Sequence, residues 1–247
     1  MIAQAPVTAG PMEYAEIFRH RGHLYDQAMR EFPGVRRDEL AFVFRAHPLL
    51  GHESVLDIPA GGGYLSRVIP DTVQVTELEI SDGFNGDPRV VPTFGPWHVD
   101  RFDRCVCLAA SHHISDKSRF LQQLRQHVRD DGIVHLADVD ASLPQTRFLD
   151  GFIGRYNGTG HDGMYPDGSL QGLVTAAGLR IVRDEILDTA WTFDSEPEGL
   201  RFVSLLFGIR DYPPGELQAE LLRLGWRAEG ERRILPWRLR YVDMRPA

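Results

Sequence analysis

Val55-Leu56-Asp57-Ile58-Pro59-Ala60-Gly61-Gly62-Gly63-Tyr64-Leu65-Ser66-Arg67-Val68 reads as a buried strand, a three-glycine turn and the start of a helix. Glycine turns the chain at positive φ and leaves no Cβ to hold a ligand off the backbone, while the first N–H groups of a helix have no partner within it. A turn of this kind is a place where a nucleotide-like cofactor lies against bare peptide. Taken alone, the glycines also fit an ordinary loop between strand and helix.

The residue ending the strand narrows the ligand. Gly61-x-Gly63-x-x-Ser66 is close to the dinucleotide fingerprint but lacks its third glycine, and Asp57 sets a carboxylate beside the loop. Two like charges about 4 Å apart repel by about 4 kcal/mol at an effective dielectric of ~20. An ionised Asp57 therefore opposes a pyrophosphate, which disfavours a dehydrogenase, and favours a ligand with cationic groups and no phosphate. S-adenosylmethionine, with an ammonium and a sulfonium, is such a ligand.

Upstream, Tyr14, Ile17, Phe18, Tyr25, Ala28, Met29 and Phe32 recur at three- and four-residue spacing, which predicts an amphipathic helix ended by Pro33-Gly34. A second helix is expected over about 37–47, stopped by Pro48. Downstream, 54–58 is the first strand, 64–69 opens the first crossover helix, 73–79 and 102–109 are further strands, and Val90-Val91 is a weaker one between them. Residues 116–129 carry Phe120, Leu121, Leu124 and Val128 at helical spacing, and Asp130-Asp131-Gly132 turns into a strand over 133–137. Such alternation means a parallel sheet with right-handed crossovers.

Residues 140–168 interrupt it with six glycines and two prolines, so an irregular excursion, a candidate lid, is expected after the fifth strand. A helix near 169–177, a strand over 179–188, helices around 197–207 and 215–224, and a last strand near 234–244 follow. A single domain is expected over 1–247, with an N-terminal helical cap (1–50), a cofactor-binding core (51–139), and a lid with the substrate-side half (140–247).

The formal charge of -8, from 27 Lys+Arg against 35 Asp+Glu, argues against a nucleic-acid partner. No run approaches the ~18 apolar residues of a membrane span, and 1–10 lacks the basic start and apolar core of a secretory signal. A cytoplasmic protein is expected. The two cysteines, Cys105 and Cys107, lie two apart on one strand, face the same side and are expected to stay reduced in the core.

Ligands of doubly wound sheets bind at the carboxyl ends of the strands. Asp57 with its turn, Glu79 and the 108–113 segment all end strands there. Glu79, 16 residues after Gly63, suits a bidentate contact to a ribose diol; it is preferred to Glu77 because it lies nearer the strand end and precedes Ser81-Asp82-Gly83.

In the 55–63 stretch, in Glu79-Ile80-Ser81, and in Phe102-Asp103 through His112-His113-Ile114-Ser115-Asp116, the chain resembles the class I S-adenosylmethionine-dependent methyltransferases, small-molecule branch, over roughly residues 50–140. The resemblance implies a Rossmann-like α/β fold, a doubly wound, mostly parallel seven-stranded sheet with its last strand antiparallel. It implies S-adenosyl-L-methionine as cofactor and S-adenosyl-L-homocysteine as product. Asp57, Ala60, Gly61 and Gly63 would hold the methionine part, Glu79 the ribose, and backbone at Leu108 and Ala109 the ammonium. Pro59 stands where many members have the first glycine. The usual acid of the adenine segment is not evident in 90–97, so the adenine pocket is unassigned, with Phe94 as a candidate.

Methyl transfer is an in-line displacement on an activated sulfonium, so positioning supplies much of the acceleration, and a hydroxyl or protonated amine must also lose its proton. His112 and His113, just past the fourth strand, are candidate bases, with His113 slightly ahead; capping of the next helix is the structural alternative. Gly160-His161-Asp162-Gly163 offers His161 beside a carboxylate, or else a solvated turn. No metal site is expected. Tyr25, Arg19 and Arg21 are placed to close over the cofactor, Tyr25 more simply by packing, and Trp191, Phe193, Phe202 and Phe207 are expected in the core. The function expected is methylation of an oxygen, nitrogen or carbon of a small molecule of secondary metabolism. One variant acts on a substrate tethered to an acyl or peptidyl carrier protein docked at Arg36, Arg37 and Arg155; a reading of another class is a non-catalytic cofactor-binding subunit.

Overall fold

A computed structural model describes residues 12–247; the 1–11 segment, where the absence of a secretory signal was read, lies outside them. In chain order the elements are α1 (Tyr14–Glu31), α2 (Arg37–Phe42), β1 (Ser54–Asp57), β2 (Gln74–Glu79), β3 (Arg89–Val90), β4 (Phe102–Leu108), α3 (Lys117–His127) and β5 (Val128–Asp138). Then come α4 (Gln145–Arg147), α5 (Gly154–Tyr156), α6 (Leu170–Ala176), β6 (Leu179–Phe193), α7 (Glu196–Phe207), α8 (Glu216–Arg223), β7 (Arg227–Glu229) and β8 (Arg232–Pro246). Among the described residues no helix is long and apolar enough to cross a membrane.

The strands form one sheet in the order β3-β2-β1-β4-β5-β8-β6, with β7 a short partner of β8. β1 to β5 are parallel, and β8 lies antiparallel between β5 and β6. This is the expected seven-strand path with a reversed last strand. β7 is an eighth strand, three exposed residues with no alternation to read.

Both faces of the sheet are covered, which is why its central strands are continuous apolar runs. Val55, Val106 and Tyr241 face a core with Leu40, Phe202 and Val203, whereas Leu56, Cys105, Cys107 and Val134 face one with Phe120, Leu124 and Leu170. The two cysteines are reduced, buried and on one face, as their spacing requires. Tyr14, Ile17 and Phe18 of α1 join the second core and its Ala28 and Met29 the first, so this helix spans both.

Several expected elements differ. In place of a crossover helix from Tyr64 there is one 3-10 turn, Leu65–Arg67. The glycine turn consumes the start of the connection and Pro70 ends it, leaving too few residues to repay helix nucleation. The second helix stops at Phe42, after which Phe44 and Arg45 donate to Ala41 and Phe42 in three-residue turns that bury both Val43 and Phe44. The 140–168 excursion is partly ordered. Residues 145–156 run as α4, a π-helical turn Phe148–Ile153 and α5, burying Phe148, Leu149, Phe152 and Ile153. The turn expected at 130–132 is a bulge inside β5, where Phe102 pairs with Val128 but Arg104 with Ile133.

α1 crosses the turn after β2 almost backbone to backbone. A Cβ on Gly83 would stand 1.9 Å from the Phe18 carbonyl oxygen, and one on Gly22 2.6 Å from that of Gly83. Gly83→Ala should therefore cost about 1–3 kcal/mol in urea denaturation through overpacking. Gly34→Ala, where a Cβ meets nothing within 4 Å, should stay within about 0.5 kcal/mol of wild type.

Candidate active site

β1 and β4 are neighbours at the point where strand order reverses, and their carboxyl ends open into a narrow cavity. Asp57, Pro59, Ala60, Gly61, Leu108 and Ala109 line its floor; Tyr14, Phe18 and Tyr25 of α1 and Phe84 lie across from them. Gly61 and Gly63 take φ of 59° and 74°, the left-handed region the sequence called for. Ala109 takes φ of 51°, which costs an L-residue roughly 1–2 kcal/mol, and its N–H donates to Ala137 at 2.7 Å.

Glu79 lies behind the loop. One carboxylate oxygen accepts from Gly61 N–H at 2.6 Å and from the Tyr14 hydroxyl at 3.3 Å; the other accepts from the N–H groups of Ile80 and Ser81 at 2.8 and 2.9 Å. Burial outweighs these bonds and lifts its pKa to about 7. Asp57 is 4% exposed, and no donor among the described residues reaches its carboxylate. Burial first, then the nearby Glu77 and Glu79, pushes its pKa well up. Burial thus opposes the ionised Asp57 expected from sequence, and a cation beside the carboxylate would favour it.

Arg36 also lines this cavity. It is buried, paired to Glu39 at 2.6 Å and in contact with the Tyr25 hydroxyl, so it cannot serve the surface docking patch proposed for it. Arg37 and Arg155 are exposed, Arg155 lying 3.5 Å from Glu216. Arg19 pairs with Asp82 at the surface instead of closing over the cavity. Phe94 carries the Arg119 guanidinium and does not line the cavity, whereas Phe84, stacked on Phe18 at 5.2 Å, does.

A second cavity adjoins the first; the two share Phe18, Tyr25, Arg36 and Ala109. Here His112, His113 and His161 come together with Trp191, Phe207 and Trp237, the two indoles stacked at 4.4 Å. His112 Nδ1 lies 2.7 Å from Asp138, which also accepts from Ser111 and from the His112 N–H. His161 Nδ1 lies 2.8 Å from Asp150, whose other donors are Tyr165 and Gly163. The partner of His161 is therefore Asp150; Asp162, next to it in sequence, is exposed. His113, the favoured base, has no carboxylate among its contacts, only Arg21 Nη2 at 3.5 Å.

Arg21 was expected to close over the cofactor and instead lines this second cavity. It is 6% exposed, donates to the Leu206 carbonyl, and has its pKa lowered to about 10 by burial. Burial also lowers the pKa of His113, well below the usual imidazole value, and that of His161, to about 4. Imidazole NMR should accordingly show His161 as a neutral ring with a protonated Nδ1 at pH 5; a charged ring at that pH would contradict the geometry.

Residues 20–184 match the family described as a methyltransferase domain. No curated protein matches the chain. Among solved structures, 1,6-didemethyltoxoflavin-N1-methyltransferase of Burkholderia thailandensis, with S-adenosylhomocysteine bound, is similar at 16% identity and TM-score 0.55, covering 98% of this chain and 93% of its own. A SAM-dependent methyltransferase of Thermotoga maritima is similar at 12% identity and TM-score 0.59, covering 95% and 100%. The [4+2]-cyclase SpnF also has this fold, at 13% identity, TM-score 0.59 and coverage of 99% and 100%. With two thirds of its length matched by the family and the sheet order, glycine turn and strand-end acids in place, the chain belongs to the class I S-adenosylmethionine-dependent methyltransferases.

Proposed function

We propose that the chain transfers the methyl group of S-adenosylmethionine to an oxygen, nitrogen or carbon of a small molecule seated against His112, His113 and His161. The observation that carries this reading is the pair of adjoining cavities: an acidic, glycine-floored one and an aromatic, imidazole-lined one, with a common wall. In the first, Asp57 and the backbone at Leu108 and Ala109 take the ammonium and Ala60 and Gly61 the methionine chain; Gly63 and Glu79, the residues expected at the methionine chain and the ribose, lie off the lining, where Glu79 holds Gly61 through its N–H. In the second, Trp191 and Trp237 suit a flat, apolar acceptor. His112 and His161, each with Nδ1 held by a carboxylate, turn Nε2 lone pairs to the place where the acceptor loses its proton. Buried, reduced cysteines fit a cytoplasmic enzyme.

Isothermal titration with S-adenosylhomocysteine tests the first half. Asp57→Asn should bind roughly 10- to 100-fold more weakly, the loss of a charge-assisted contact. Because the Asp57 pKa is raised, wild-type affinity should fall as pH drops, starting above the ordinary carboxylate range, as protonation removes the charge that holds the ammonium. That pH dependence should flatten in Asp57→Asn; equal affinity of the two proteins would overturn the assignment.

Methyl transfer from isotopically labelled cofactor to a panel of aromatic hydroxy and amino compounds, read by mass spectrometry, tests the second half. His112→Asn should lower kcat by about 10²–10⁴-fold with cofactor affinity unchanged. Cofactor binding without product from any acceptor would favour a non-catalytic binding subunit.

A further inference from the structure

His112 and His113 sit on the turn after β4 and His161 in the 140–168 excursion, yet one ring nitrogen of each lies within 4.8 Å of the other two. Their ring centroids are 4.0, 4.9 and 5.4 Å apart, and all three residues are buried. Asp138 and Asp150 hold two of the rings through Nδ1, at 2.7 and 2.8 Å. A carboxylate behind the imidazole fixes the tautomer and makes Nε2 the more basic atom, the way metal-ligating histidines are held. No donor among the described residues reaches Nε2 of His112 or His161. Arg21 Nη2 lies 3.5 Å from His113 Nε2, at the outer limit of a hydrogen bond, and must turn away for that nitrogen to bind an ion.

Three buried imidazoles thus bring one nitrogen each to a common space, and a shared cation there would require the stacked His112 and His161 rings to turn toward it. We propose that His112, His113 and His161 bind one divalent first-row transition ion of zinc-like ligand preference, with Asp138 and Asp150 as outer partners. Three imidazoles suit zinc, copper, iron or nickel, and three protein ligands leave a position open for chemistry. Ligands at about 2.1 Å from one ion stand about 3.4 Å apart, so the rings draw in by roughly 1 Å on loading.

The open position lies beside the Arg21 guanidinium and favours an acceptor bound through an anionic oxygen. Resting on the reading of this cavity as the acceptor pocket, the class of acceptor is then a hydroxyl compound. With the ion bound, the imidazoles are its ligands and no longer the base, so the acceptor's O–H proton passes to a hydroxide on the ion, which leaves as water while the oxygen takes its place. A lone pair of that oxygen forms the new bond to the methyl carbon as the carbon–sulfur bond breaks and its electrons return to sulfur.

Cobalt(II) titration of the chelator-treated full chain, followed by visible d–d absorption, tests the site. One equivalent should bind, His113→Asn and His161→Asn should each weaken binding at least 100-fold, and Asp150→Asn should weaken it roughly 10- to 100-fold. Absence of the band at millimolar cobalt, or a band unchanged in His161→Asn, overturns the proposal. S-adenosylhomocysteine titration of the same samples shows that each variant is folded. Retained cofactor binding without cobalt uptake overturns the metal site alone. Loss of cofactor binding in wild type overturns the reading of the first cavity, while the cobalt stoichiometry still decides the metal site.

Discussion

The Glu79 carboxylate accepts hydrogen bonds from Gly61, from Ile80 and Ser81, and from Tyr14, donors that belong to three separate segments. The loop after β1, the turn after β2 and the first turn of α1 are thereby referred to one buried group. Leaving a buried donor without an acceptor costs about 1–3 kcal/mol, so losing this carboxylate would loosen all three together. Asp26 repeats the device further along α1, accepting from the Tyr64 hydroxyl and the Asn85 N–H. Gly22 and Gly83 let the helix come close enough for both.

What that frame encloses is an excess of negative charge. Asp57 pairs opposite Glu77 across β1 and β2, and Glu79 lies behind the loop. A phosphate would meet these acids without the compensation that a helix N-terminus gives in dinucleotide folds, because the connection after the glycines makes only one 3-10 turn. Exclusion of phosphate and attraction of an ammonium have the same origin here. Burial of these acids, with their neighbours adding at Asp57, shows as raised proton affinity on Asp57 and Glu79.

Local signals were legible in the sequence. The apolar run into Asp57, the glycines with positive φ and the alternation of strands and helices set the sheet and the turn at its carboxyl edge, because each depends on neighbours in the chain. Contacts between distant segments were not. Asp150 as the partner of His161, Phe84 facing the glycine turn and the burial of Arg36 against Glu39 arise only when excursions fold back, and nothing in the residues themselves announces them. Composition also misled: six glycines in 140–168 hid the apolar face of Phe148, Leu149, Phe152 and Ile153. All three histidines were readable as reactive singly, but their convergence was not.

The wall common to the two cavities consists of Phe18, Tyr25, Arg36 and Ala109, three bulky side chains and one methyl. Ala109 is held at positive φ by the bond of its N–H to Ala137, so the small residue cannot drift. A one-carbon unit passing between the chambers would cross beside that methyl, and only the acceptor atom presented there could receive the carbon. Regiochemistry would then be decided by placement and alignment, and an acceptor with several nucleophiles of equal strength would still be modified at one.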